Sequence, residues 1–133
     1  MKIKNKLSIL GFHSVNLILI IFYLYPGSIF GCYIYSNCRI QLQIISNLII
    51  SSNYWISSNH FYVFFILSAL GFFAYQNTKK IKFLTTYLFF LSIVLELFHL
   101  FIPNRGFEWS DLFGNILGLM FVIAIYKVKN RHA

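Results

Sequence analysis

FLTTYLFFLSIVLELFHLFI, running from Phe83 to Ile102, is twenty residues long and carries one formal charge, Glu96. About 20 apolar residues are what a helix needs to cross a hydrocarbon core roughly 30 Å thick. A lone strand in lipid would leave its backbone groups unpaired, so helix is the state this stretch must adopt. Lys79, Lys80 and Lys82 precede it and Pro103 ends it. Working outward, three further runs have the same character, at residues 7–25, 60–76 and 112–126. The reading is all-α: an integral membrane bundle of four transmembrane helices, forming a single domain over residues 1–133, with 26–59 as the first outer connection.

Composition supports it. Of 133 residues, 59% are hydrophobic and 20% aromatic, with mean hydropathy +0.72. A soluble domain of this size has too much surface for its volume to hide that much apolar area, so the lipid bilayer is the first expected partner. The net charge of +8 would otherwise suggest nucleic acid. No basic stripe with interleaved aromatics is present to follow a phosphate backbone, so that partner is excluded. Nine of the eleven basic residues flank the spans on one side: Lys2, Lys4, Lys6, Lys79, Lys80, Lys82, Lys127, Lys129 and Arg131. By the positive-inside rule that side is cytoplasmic, and both termini lie there.

The outer connection holds one charge, Arg39. Ile40, Ile44, Ile45, Leu48 and Ile49 fall at helical spacing, which predicts a short helix on the membrane surface. Gln41 and Gln43 alternating with Ile40, Leu42 and Ile44 fit the start of a strand equally well. Tyr54 and Trp55 suit an interfacial aromatic belt. Cys32 and Cys38 lie where a disulfide can persist, and two free thiols are the alternative. A basic start, an apolar run and Ile29-Phe30-Gly31-Cys32 also resemble a cleaved lipoprotein signal, but Phe30 stands where a small residue belongs and the run is long, so an uncleaved helix is expected.

All three acidic residues, Glu96, Glu108 and Asp111, fall within sixteen positions of one another. The window also holds His99 and Arg105, Asn115 follows four residues after it, and the alternating direction of the spans brings His60 to the same face. Charge is expensive in lipid, so this cluster is the candidate site. Cβ atoms lean toward a helix's N-terminus, so Glu96 points toward the bilayer centre and needs a partner, a proton or a wet cavity. Ser110 or Asp111 would cap the last span. Asn115 lies deeper and needs a partner on another helix, while Gly114 and Gly118 form a small-xxx-small pair for close helix packing. Arg105, in a Pro-Asn-Arg-Gly turn, suits a phosphate or carboxylate. Glu108 and His132 are expected in water, and His13 as an inter-helix hydrogen-bond partner. Zinc needs three converging groups. Convergence of His60, Glu96 and His99 is not visible in the sequence, so no metal is assigned. No Gly-rich phosphate loop and no activated Ser or Cys is present, so no cofactor is assigned either.

At these residues the chain resembles the VanZ-like family of small bacterial membrane proteins. The resemblance is carried by Glu96-Leu97-Phe98-His99, Ile102-Pro103-Asn104-Arg105 and Asp111-Leu112-Phe113-Gly114-Asn115-Ile116-Leu117-Gly118, with His60-Phe61 at the start of a span. It covers the stretch from His60 to Gly118. The family commonly has Gln where this chain has His99, and an Asp-Lys pair before the His where this chain has Ile56, Ser57, Ser58 and Asn59. The resemblance implies a multi-pass protein of the bacterial cytoplasmic (inner) membrane, in a family with a member associated with teicoplanin resistance.

Three functions follow as expectations. The first is a cell-envelope accessory or glycopeptide-resistance-type factor. Its outer-face cluster of His60, Glu96, His99, Arg105, Asp111 and Asn115 binds an anionic lipid-linked group, such as a cell-wall precursor, or an envelope protein. The second is a membrane enzyme acting on such a lipid-linked substrate, with Glu96 as acid or base, His60 or His99 shuttling the proton and Arg105 holding the anion. The third is purely structural, the cluster locking four helices together.

Overall fold

The computed structural model describes residues 3–40, 55–76 and 78–131. It contains five helices: α1 (Ile3–Leu24), α2 (Ile29–Tyr35), α3 (Ser58–Tyr75), α4 (Ile81–Phe98) and α5 (Trp109–Arg131). No strand occurs among the described residues. Four of the helices, α1, α3, α4 and α5, are long and apolar enough to cross a membrane. The shortest have 18 residues, or about 27 Å at the α-helical rise, close to the hydrocarbon thickness.

The helix ends differ from the expected spans in informative ways. α4 stops at Phe98, short of Ile102. Pro103 has no N–H to donate and disfavours helix in the residue before it. The chain therefore tightens into i→i+3 bonds, from His99, Leu100 and Phe101 N–H to the carbonyls of Glu96, Leu97 and Phe98 at 3.2, 3.2 and 2.9 Å. A turn follows in which Arg105 N–H donates to the Ile102 carbonyl at 3.2 Å. Asn104 takes φ 61° there, a left-handed position Asn tolerates well. α5 starts before the expected Leu112, at Trp109, and runs past Tyr126 to Arg131. Its last turn carries Lys129 and Arg131, favourable at the negative end of the helix dipole.

The outer connection contains α2, a seven-residue helix the sequence did not announce. Ser28 caps it, its hydroxyl accepting from Gly31 N–H at 3.0 Å. The Cys32 and Cys38 sulfurs are bonded to each other, so the sulfur that a lipoprotein lipid would need is taken up in a disulfide. The surface helix expected around residues 40–49 lies, from residue 41 on, outside the described residues, as do Tyr54 and His132. Trp55 is 73% exposed.

α3 and α5 run parallel and lie closest. A Cβ on Gly114 would come within 2.6 Å of the Ser57 carbonyl oxygen, and one on Gly118 would land on the Phe61 carbonyl and within 2.8 Å of Phe65 N. Only glycine allows this approach, which is how small residues bring membrane helices together. α1 packs antiparallel to α3, with Phe12 against Gly71 and Tyr23 against His60. The shared core is Phe12, Leu19, Phe64, Leu67, Leu88 and Leu119 with their neighbours. Leu7, Leu10, Leu17, Phe83, Phe90, Met120 and Phe121 point outward, as a lipid-facing surface would.

The bundle thus has two chemically different ends. One gathers Lys6, Lys79, Lys80, Lys82, Lys127 and Lys129, and is tied by His13 Nε2 with Tyr75 OH at 2.9 Å and by Tyr126 OH donating to the Gln76 carbonyl at 3.3 Å. The other holds the end of α1, the start of α3, the end of α4 and the start of α5.

Candidate functional site

At that second end the structure brings His60, Glu96, His99, Asp111 and Asn115 together in the protein interior. Glu96 and Asn115 are both 0% exposed, and His60, His99 and Asp111 are also buried. They come from three helices: His60 from the first turn of α3, Glu96 from the last turn of α4, His99 from the residue capping it, and Asp111 and Asn115 from successive turns of α5. The close α3–α5 approach at Gly114 and Gly118 sets His60 opposite Asp111, with His60 Nε2 3.2 Å from Asp111 Oδ2. The α4–α5 turn folds the backbone of Glu108 over the end of α4, and its N–H donates to Glu96 Oε1 at 2.9 Å.

Tyr23, which the sequence did not single out, is the hub. Its hydroxyl donates to Asn115 Oδ1 at 2.8 Å and lies 3.1 Å from His60 Nδ1. Its carbonyl accepts from His99 Nε2 at 3.1 Å, and the two rings stack with centroids 5.8 Å apart. One residue of α1 thereby touches α3, α5 and the end of α4. Ser57, just before α3, donates its backbone N–H to the Ser110 carbonyl at 3.0 Å, tying the start of α3 to the start of α5 beside Asp111. Asp111 is not an N-cap, because α5 begins before it; the Glu108 carbonyl accepts from Asp111 and Leu112 N–H at 3.1 and 3.2 Å. Its carboxylate is used between helices instead. Glu108's own side chain is exposed and accepts from Ser110 Oγ at 3.4 Å.

The hydrogen atoms in this network can be counted. Tyr23 has one hydroxyl proton and gives it to Asn115, so its oxygen accepts from His60 Nδ1–H. A neutral His60 then carries its lone pair on Nε2, the nitrogen facing Asp111. On the other side, Glu96 Oε1 is held by Glu108 N–H and faces His99 Nδ1 at 3.4 Å, while Glu96 Oε2 is buried without a hydrogen-bond partner among the described residues. A buried carboxylate oxygen facing no donor carries a large desolvation penalty. The arrangement therefore presents unshared electron pairs at its centre.

Arg105 stands at the rim, half-buried, with no carboxylate within ion-pair distance among the described residues and its Nε without a hydrogen-bond partner. Burial lowers its pKa from the usual arginine value, while Asp111, Tyr23 and Glu96 act in the opposite direction. It stays a cation, as guanidinium does throughout the physiological range. No protein-family model, curated protein or solved structure gave a match to the chain.

Proposed function

We propose that this is a VanZ-like accessory protein of the bacterial cell envelope, in the cytoplasmic membrane with both termini inside, that binds an anionic lipid-linked group at its outer end. Arg105 carries the reading: it is a half-buried cation beside an acidic cluster, yet its guanidinium is not used in an ion pair among the described residues. A planar guanidinium presented this way suits a phosphate or carboxylate from outside, and neighbouring lipid would bring a lipid-linked anion to it. The cluster behind it is tightly packed, so the bulk of such a ligand stays at the rim and in the bilayer.

The test is binding of a polyprenyl phosphate to the protein in phosphatidylcholine nanodiscs. Arg105→Gln should weaken binding at least about tenfold, the scale of a lost charge-assisted hydrogen bond, and Arg105→Lys by less. Unfolding temperature should barely move in either variant. Undiminished binding by Arg105→Gln sinks the proposal, and collapse of Arg105→Gln, Glu96→Gln and Asp111→Asn alike would favour a cluster that only locks helices. A resistance-type role further requires that deleting the gene change teicoplanin susceptibility and that the intact gene restore it. The enzymatic reading is favoured by the bare Glu96 Oε2, and needs turnover of a lipid-linked substrate that Glu96→Gln abolishes.

A further inference from the structure

The geometry points to a binding site for a divalent metal ion, of the Zn2+ class, formed by His60 of α3, Glu96 of α4 and Asp111 of α5. Each offers one ligand atom, and these atoms all lie within 4.8 Å of one another in the buried end of the bundle. The His60 Nε2 to Asp111 Oδ2 separation is 3.2 Å. Zinc bonds of 2.0–2.1 Å arranged tetrahedrally place neighbouring ligand atoms about 3.3–3.4 Å apart, so that edge is already formed. The remaining approach falls to Glu96, whose Oε2 has no hydrogen-bond partner among the described residues to give up.

Three independent features favour an ion over a merely crowded trio. First, His60 is oriented as metal-binding histidines are: Nδ1 is engaged by Tyr23 OH at 3.1 Å, leaving Nε2 with the lone pair toward Asp111. Without a proton or a metal cation between them, that lone pair and the carboxylate oxygen repel. Second, Glu96 has an outer partner that fixes it from behind, the Glu108 N–H at 2.9 Å on Oε1, while Oε2 is left without one among the described residues. Third, two carboxylates and a neutral imidazole balance a dication, which removes the burden of two buried acids facing each other. A nitrogen-and-oxygen donor set suits Zn2+ better than Mg2+ or Ca2+, which prefer all-oxygen shells. Three protein ligands would leave a fourth position for water or an anion, the pattern of reactive zinc sites. This deepens the proposed function, since an anion held by Arg105 would approach from the rim, but metal uptake is measurable without any lipid.

The experiment uses tag-free full-length protein in detergent, stripped with chelator and titrated with Co2+, a visible-absorbing stand-in for Zn2+. One equivalent per chain should bind, with the intense visible bands of a four-coordinate site that Zn2+ then abolishes. His60→Gln, Glu96→Gln and Asp111→Asn should each weaken binding by more than about 100-fold, beyond the effect of losing an outer partner. Lys127→Gln, which alters an exposed charge at the opposite end of the bundle, should bind as the parent does. A folded parent protein that shows no saturable Co2+ uptake overturns the inference, even if it binds polyprenyl phosphate; so does uptake unchanged in all three ligand variants. Because the parent alone can give the negative result, misfolding of a variant does not rescue the idea.

Discussion

Tyr23 shows how one hydroxyl can decide the chemistry of a site. By giving its proton to Asn115 it leaves His60 Nδ1 as the donor, so a neutral His60 presents Nε2, bare, to Asp111. Tyr23→Phe keeps the ring that stacks on His99 but leaves His60 Nδ1–H and Asn115 Oδ1 buried without that partner. Unfolding in detergent should become easier by about 1–3 kcal/mol, the usual range for an orphaned buried polar group. Co2+ affinity should fall about 10–100-fold, as when an outer-shell partner of a metal ligand is lost. Destabilisation with undiminished Co2+ affinity would make Tyr23 a bolt between helices and nothing more. His60, Asp111 and Asn115 were legible in the sequence because polar groups in apolar runs stand out. Tyr23 was not, because a tyrosine near the end of a span also fits an interfacial aromatic, and where its hydroxyl points depends on residues 37 and 92 positions away.

Among the elements, the α3–α5 pair aligns the site. Gly114 and Gly118 stood out as a small-xxx-small pair, a common pattern that could not name its partner helix; the structure supplies α3, approached so closely that a Cβ at Gly118 meets backbone atoms. Backbone cannot rotate away as a flexible side chain can, so Gly118→Val must push the helices apart. The expected loss is about 1–3 kcal/mol, typical of overpacking, read from thermal unfolding in detergent. Gly11 of α1, with nothing within 4 Å of a built Cβ, is the control: Gly11→Ala should hold or raise stability by about 0.5–1 kcal/mol. Equal behaviour of the two variants would mean that the close approach contributes nothing. Spacing also fixed the number of spans but not their ends. The early stop of α4 comes from the i→i+3 turns that lead into Pro103, which an apolar run does not register, and α2 is too short for periodicity to resolve.

For the whole molecule, two unrelated features argue for the same proposed polarity. The lysine-rich end suits the cytoplasmic side because positive charge resists export. The opposite end carries both the buried cluster and the Cys32–Cys38 bridge, and a disulfide persists where the compartment is oxidising. Neither observation uses the other, and they would conflict if the bundle were inverted. In intact bacteria, a membrane-impermeant maleimide should therefore label Cys32 and Cys38 only after reduction. With both cysteines changed to serine, Asn104→Cys in the site-end turn should react in intact cells, while Lys80→Cys should react only after lysis. Labelling of Lys80→Cys but not Asn104→Cys in intact cells would invert the bundle. The buried cluster and Arg105 would then face the cytoplasm, and an outer-leaflet lipid-linked anion would be out of reach.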